Sequence, residues 1–367
     1  MDVKFSDLSR TYALYREEYE EAALRALRSG WYVMGSELEA FEQEFAAYVG
    51  KRHGIGVGCG QDALILAIRA LGIGTGDEVI VAGNTYIATV LGVTENGATP
   101  VFVDCDEYFQ IDVDKLEQAL TARTKAVLVT NLYGQTCRLS EVRRICDAHG
   151  LWMVEDCAQS HGARWQGRMS GAWADVSCFS FYPTKPLGAM GDAGACLTDD
   201  RALAERIRML RNYGSRTKYV NEVCGVNSRL DEVQAALLRV GLARIDEMRR
   251  MREDVAERYL SDISCPAVSL PKVRADAENV WHIFPLLCEE RDELKRHLDG
   301  CGVHTQIHYP VPPHRAQCYE GRGYGSAGLP LAERFASEEL SLPIYAGMPD
   351  NEVDAVIRAV NSFKGRA

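Results

Sequence analysis

Between residues 61 and 198, short apolar runs alternate with stretches of helical periodicity, and this alternation restricts the fold more than any other feature of the chain. Residues 61–71 read as a helix, 78–82 as a strand and 86–96 as a helix. Strands follow at 101–104, 125–130 and 151–155, separated by helices at 113–120 and 139–149. Further strands are expected at 176–181 and 195–198. Strands that are apolar throughout have no wet face. With amphipathic helices between them, they predict an α/β fold with a mostly parallel central sheet and helices on both faces. Ligands of such sheets sit beyond the carboxyl ends of the strands, so the residues just after each strand are the ones to search for chemistry.

Two helical stretches precede this region. Residues 10–29 carry Tyr12, Tyr15, Tyr19, Ala23 and Leu27 at spacings of three and four, and Ser29-Gly30 ends them. Residues 36–49 open with Ser36 as N-cap and Glu39 three positions on, a capping-box pattern. A long helix is expected over 230–260, after which Cys265-Pro266 begins shorter elements: 280–288, a helix from Asp292, a strand at 303–309, a glycine-rich loop at 321–328 and final helices. The expected division is a large domain over 1–245, including the N-terminal helical segment, and a small C-terminal α+β domain over 246–367.

The chemistry-bearing residues come in chain order. Gly58-Cys59-Gly60-Gln61 opens a helix; it is either an anion cup of free N–H groups or a plain turn. Tyr86 follows a strand and either stacks on a flat ring or fills the core. Asp156 ends a strand, with Gln159 close by; it either pairs with a protonated ring nitrogen or caps a helix. Ser180 ends another strand and is a candidate phosphate donor, and Lys185 lies between a proline-marked turn and the glycine-rich stretch 188–194. A lysine held at a strand mouth loses solvation and can form a Schiff base with a carbonyl. Together these residues supply what pyridoxal phosphate requires: a phosphate cup, a stacking ring, a pyridinium partner and an imine-forming amine. Gly72-Ile73-Gly74-Thr75-Gly76 follows a helix and precedes a strand, the wrong order for a dinucleotide fingerprint. His304, Gln306 and His308 would share one face of a strand, as a polar pocket wall or, less in keeping with their lack of nearby Cys or carboxylate ligands, as a metal site; no metal is expected.

Several longer runs carry a resemblance over nearly the whole chain. They are Ser29-Gly30-Trp31-Tyr32-Val33-Met34-Gly35, Glu155-Asp156-Cys157-Ala158-Gln159-Ser160-His161-Gly162, Ser180-Phe181-Tyr182-Pro183-Thr184-Lys185, the stretch from Gly225 to Ala236, His308-Tyr309-Pro310 and Leu340-Ser341-Leu342-Pro343. In these the sequence resembles the DegT/DnrJ/StrS sugar aminotransferases, of the aspartate aminotransferase type (fold type I). The resemblance implies that Lys185 holds the cofactor as an imine and then moves the proton of the 1,3-prototropic shift. It places Asp156 at the pyridine nitrogen, Gln159 and Tyr86 on the ring, and Gly60, Gln61 and Ser180 at the phosphate. It has Asn227 reach the phosphate of a neighbouring subunit, so that a homodimer shares its active sites. Cys59 stands where serine or alanine is common and Pro186 where asparagine is frequent. One branch of the family has histidine in place of the lysine and dehydrates sugars, and Lys185 argues against that branch.

The resemblance also implies the reaction. Family members transfer an amino group to nucleotide-linked keto sugars, usually from L-glutamate, which leaves as 2-oxoglutarate; the cofactor passes through its pyridoxamine form. The stretch from Phe181 to Gly194, with Lys218-Tyr219 and the run after Asn227, looks most like members that aminate C3 of a dTDP-3-keto-6-deoxyhexose. Tyr182, His308 and Tyr309 become candidate substrate contacts. The alternatives are a UDP-linked 3-keto-hexuronate, a 4-keto sugar, a keto-cyclitol, or a non-catalytic regulator that keeps the fold. A regulator could dispense with Lys185 or Asp156, and both are present.

Composition narrows partners and compartment. A net charge of −11 argues against nonspecific nucleic-acid or anionic-membrane binding. No apolar run is long enough to span a bilayer, and Met1-Asp2-Val3-Lys4-Phe5-Ser6-Asp7 has no signal-peptide character. The 12 cysteines are scattered through apolar runs with no Cys-x-x-Cys pair, as expected of free thiols in a cytoplasmic enzyme.

Overall fold

The computed structural model describes residues 2–324 and 328–365. Its centre is a seven-stranded sheet of β1 (His53–Val57), β2 (Glu78–Ala82), β3 (Thr99–Val103), β4 (Thr124–Thr130), β5 (Trp152–Asp156), β6 (Val176–Ser180) and β7 (Gly194–Thr198), in the order β1-β7-β6-β5-β4-β2-β3. Strands β6, β5, β4, β2 and β3 run parallel; β7 is antiparallel to both β6 and β1. The continuous apolar runs are explained by what covers them. Val79, Val81, Ala126 and Leu128 pack under one helical layer, while Ile80, Ala82, Val127 and Val129 pack under another. The first layer holds α4 (Gly60–Ala70), α5 (Ile87–Thr94) and α7 (Arg201–Leu210); α6 (Leu139–His149) lies on the second. Further along the sheet, α3 (Ser36–Val49) and the start of α8 (Glu232–Asp262) cover Phe179, Phe181, Ala195 and Leu197.

The N-terminal helix expected over 10–29 is two helices, α1 (Leu8–Leu14) and α2 (Arg16–Ser29), broken at Tyr15, whose φ/ψ of −134°/32° is non-helical. Ser36 does not cap α3. The N-cap is Gly35, and the carboxylate of Glu232, at the start of α8, accepts the N–H groups of Gly35 (2.7 Å), Glu37 (2.9 Å) and Leu38 (3.1 Å). The helix expected over 113–120 is a pair of 3₁₀ turns, Val113–Lys115 and Glu117–Ala119. Val113, Leu116 and Ala119 face the core three residues apart, the 3₁₀ repeat rather than the α repeat.

Strand β1 is absent from the sequence expectation because half of its residues before Val57 are glycine. A Cβ on Gly54 would lie 2.3 Å from the Glu42 carbonyl oxygen, and one on Gly56 would lie 2.7 Å from a Leu38 methyl. The strand is therefore glycine-bearing so that α3 can approach it, at the expense of β propensity.

Helix α8 carries the chain out of this core. Ala235, Leu238 and Ile245 belong to the sheet-side cluster, whereas Val255, Ala256 and Tyr259 belong to a separate cluster. That second cluster is built on the antiparallel pair β8 (Phe284–Leu287) and β9 (Glu339–Leu342), with α9 (Arg291–Gly300) and α11 (Asp350–Ser362), while α10 (Pro330–Glu338) packs in a separate cluster through Ala332 and Phe335. The expected boundary at 245 falls within α8. The segment 303–309 is not a continuous strand: Val303 bridges Val3 and Gln306 bridges Ser341. The glycine-rich loop expected at 321–328 lies partly outside the described residues. No helix among the described residues is long and apolar enough to cross a membrane.

Candidate active site

The carboxyl ends of β4, β5 and β6 open into a cavity of about 850 Å³, closed on its other side by residues of the C-terminal module. Gly60, Gln61, Tyr86, Asp156, Gln159, Ser180, Tyr182, Lys185, His308 and Tyr309 all line it. Asn227 does not; it is exposed on the turn before α8, bridged to Asn212.

The cup at one end is the first turn of α4. Cys59 sits at its N-cap, where Sγ accepts the Asp62 N–H at 3.4 Å. Ser228 ties the turn down: its Oγ accepts the Gly58 N–H (2.9 Å) and donates to Asp62 Oδ2 (2.6 Å). Gly60 is glycine because Ser180 abuts it; a Cβ there would stand 2.5 Å from Ser180 Cβ and 3.0 Å from its Oγ. A hydroxyl and the open end of a helix thus meet at one point, the arrangement that holds a phosphate.

Asp156 is the last residue of β5 and is 4% exposed. Its Oδ2 accepts from Thr89 Oγ1 at 2.7 Å and its Oδ1 from the Ala158 N–H at 3.1 Å. Thr89 is backed by Thr85 (2.7 Å), which also meets Thr130 (2.9 Å). Burial pushes the pKa of Asp156 up, while Thr89, the Ala158 amide and the charge of Lys185 favour the carboxylate. Burial likewise pulls Lys185 down to about 8, against the attraction of Asp156. The backbone of Lys185 is fixed by its N–H donating to the Tyr182 carbonyl at 2.8 Å.

Gln159 is held at both ends: Oε1 accepts the Tyr133 N–H (2.6 Å), and Nε2 donates to Tyr309 Oη (3.1 Å). The Tyr309 and Tyr86 rings lie 5.0 Å apart, tilted by 37°, and Tyr86 is 51% exposed on the cavity wall rather than in the core. The His308 ring lies 5.7 Å from that of Phe5, tilted by 34°, and its Nδ1 lies 2.8 Å from Ser341 Oγ. Of its two neighbours in the sequence pattern, His304 meets Asp2 at 2.7 Å near the surface, and all three line the same wall.

The sequence reading missed the supporting groups. Thr85 and Thr89 stand four residues apart at a helix start, a spacing that puts them on one face, but nothing local ties them to Asp156. Tyr133, which grips both Gln159 and the His308 carbonyl, has φ +62°, a strained value for a tyrosine. Glu339 and Ser341 read as an ordinary alternating strand.

The donor set fits a flat phosphorylated pyridine aldehyde: a cradle that a Cβ on Gly60 would fill, a buried carboxyl group that accepts two hydrogen bonds, and a desolvated amine in the same cavity. The model of the DegT/DnrJ/EryC1/StrS aminotransferase family matches residues 14–361. The chain is 49% identical over 366 residues to a dTDP-3-amino-3,4,6-trideoxy-alpha-D-glucose transaminase of Streptomyces venezuelae, covering 99% of this chain and 97% of that one. The crystal structure of S. venezuelae DesV in complex with a ketimine intermediate superposes with a TM-score of 0.96 at 49% identity, over 98% of both chains. NtdA of Bacillus subtilis, solved with bound PMP, gives a TM-score of 0.91 at 29% identity, over 98% of this chain and 84% of that one. The chain belongs to the DegT/DnrJ/EryC1/StrS aminotransferase family.

Proposed function

We propose that this chain is a pyridoxal-phosphate-dependent transaminase that passes an amino group from L-glutamate to C3 of a dTDP-linked 3-keto-6-deoxyhexose. The carrying observation is the meeting of the Lys185 amine, the buried Asp156 carboxylate and the open end of α4 in one cavity. The C3 and dTDP assignments are supported by the substrate named for the S. venezuelae relative. When bound, the cofactor supplies the electron sink that a C–H bond beside nitrogen needs in order to lose its proton.

The protein's own residues do the rest. The N–H groups of Gly60 and Gln61, with Ser180, hold the phosphate. Asp156, whose charged form is favoured by the hydrogen bonds from Thr89 and the Ala158 amide against its burial, would pair with the ring nitrogen and hold a proton there. Tyr86 and Gln159 flank the ring. Lys185, with its pKa near 8, is partly neutral at physiological pH and serves as the base that lifts and returns the substrate proton. Tyr182, His308 and Tyr309 contact the sugar. Asn227, exposed and outside its own cavity, reaches the phosphate of a second copy; the contiguous exposed run Trp31, Tyr32, Val33 and Met34 supports such a homodimer. All 12 cysteines are free thiols, which suits work in the reducing cytoplasm.

The test is a panel of nucleotide-linked keto sugars incubated with the enzyme, pyridoxal phosphate and glutamate, with each product identified by NMR. Amine at C3 of the dTDP sugar is expected. Amine at C4, or transfer confined to UDP sugars or cyclitols, overturns the substrate assignment. Failure of borohydride to fix a pyridoxyl group on Lys185 overturns the catalytic one.

A further inference from the structure

The C-terminal wall of the cavity contains a hydrogen-bonded chain that the reaction as described leaves unused. Glu339, the first residue of β9, and Ser341, two residues on, are both fully buried. Glu339 Oε2 accepts the backbone N–H of His308 at 2.6 Å, and its Oε1 is hydrogen-bonded to Ser341 Oγ. That same Oγ lies 2.8 Å from His308 Nδ1. The His308 carbonyl accepts from Tyr133 Oη. The residue is thus fixed by backbone and ring together, and Nε2 is the ring nitrogen left for the cavity that His308 lines.

We propose that Glu339 and Ser341 are positioning residues that decide which nitrogen of His308 carries the proton, and so whether His308 offers the sugar a donor or an acceptor. This rests on the reading of the cavity as a keto-sugar site. A serine hydroxyl has one proton to give. With Glu339 ionised, Ser341 donates to Oε1 and must accept from Nδ1–H, which leaves Nε2 a bare acceptor. With Glu339 protonated, Oε2 is already taken as acceptor by the His308 backbone, so the acid proton sits on Oε1 and points at Ser341. Ser341 then donates to Nδ1, and the imidazole proton resides on Nε2. One proton enters at Glu339, and the ring proton changes nitrogen.

The surroundings favour the second arrangement near neutrality. Burial pushes Glu339 up to about 8, against the pull of Ser341, the His308 N–H and Arg291. Arg291 is itself engaged with Asp292 and the Ala336 carbonyl. Burial, with the nearby charge of Lys185, pulls His308 down to about 4, so its ring is neutral. The other titratable groups facing the chain are Tyr133 and Tyr309, both raised by burial, and His282, held neutral. Of these described groups, Lys185 is also brought to about 8. His308 therefore presents Nε2–H at pH 7, a donor suited to a keto, hydroxyl or phosphate oxygen, and becomes an acceptor above about pH 8.

The test uses holoenzyme labelled with ¹⁵N-histidine, in which the chain has only 8 histidines, and His308→Gln assigns the resonance. Wild type is expected to show Nε2–H at pH 7 and to cross to Nδ1–H with a midpoint near 8. In Glu339→Gln the amide donates to Ser341 at every pH, so Nε2–H persists to pH 9.5. Its KM for the keto sugar stays flat, where that of wild type rises roughly tenfold above pH 8 for the loss of one hydrogen bond of about 1.4 kcal/mol. Ser341→Ala removes the tautomer preference. A wild-type ring in the Nδ1–H form at pH 7 overturns the proposal without need of any variant. A crossing unchanged in Glu339→Gln also overturns it. A tautomer that switches as expected while KM ignores pH overturns the donor role and the sugar-contact reading, and leaves the tautomer assignment standing.

Discussion

Lys185 is a stability liability in the cofactor-free protein, and its size can be worked out. Burial lowers its pKa from 10.5 to about 8, after the attraction of Asp156 has been counted. At about 1.4 kcal/mol per pKa unit, the folded state gives up about 3 kcal/mol to hold the ammonium form. The sign follows from linkage. Between pH 8 and 10.5 the unfolded chain binds more protons at this lysine than the folded one, so stability rises with pH through that window. Below pH 8 the cost is fully present, and near pH 10.5 it has vanished. Lys185→Met removes it and keeps the shape of the side chain. Cofactor-free Lys185→Met is therefore expected to exceed wild type by about 3 kcal/mol at pH 7, with the gap closing by pH 10.5. Urea unfolding of both proteins at equal concentration, from pH 6.5 to 10.5, measures the gap. Packing differences between methionine and lysine add an offset that does not depend on pH, so the slope is diagnostic. A gap that stays constant across the range, or one that widens with pH, refutes the reasoning.

Other perturbations test the supporting groups. Thr89→Val removes a hydrogen bond to a buried carboxylate, worth about 1.5–3 kcal/mol, so affinity for pyridoxal phosphate should fall roughly 10- to 100-fold in a fluorescence titration, while Thr89→Ser retains it. Glu232→Ala strands three N–H groups at the start of α3 and should cost about 2–4 kcal/mol in urea unfolding; full stability would show that water replaces the cap. Lys185→Ala and Asn227→Ala should each be inactive alone. Mixed and allowed to exchange subunits, they should recover about a quarter of wild-type activity through hybrid dimers with one intact site, and no recovery would place Asn227 outside the shared site.

The sequence shows its chemistry where position is set locally and hides it where position is set across the fold. Asp156, Ser180 and Lys185 were legible because each stands at or just after an apolar run, and the end of a parallel strand is a ligand position in any sheet of this kind. Gly60 was legible because a helix beginning on glycine advertises its amides. Strand β1 was not, since Gly54 and Gly56 answer to Glu42 and Leu38 rather than to strand propensity. The capping of α3 was misread for a similar reason: Ser36 has the right chemistry, but the carboxylate of Glu232 fills the same role from 195 residues away.

The tuning groups follow the second pattern throughout. Thr89 is 67 residues from the carboxylate to which it donates, and Tyr133 is 175 from the carbonyl it grips. Neither residue type is unusual in its own segment. Their meaning appears only when β4, α5 and the C-terminal module close around one cavity. A carboxylate at a strand end announces a site, but whether it is charged depends on which hydroxyl the fold brings to it. For that reason the expected chemistry was readable from Lys185 only together with its neighbours and the family resemblance, whereas the protonation states that let it run required the assembled cavity.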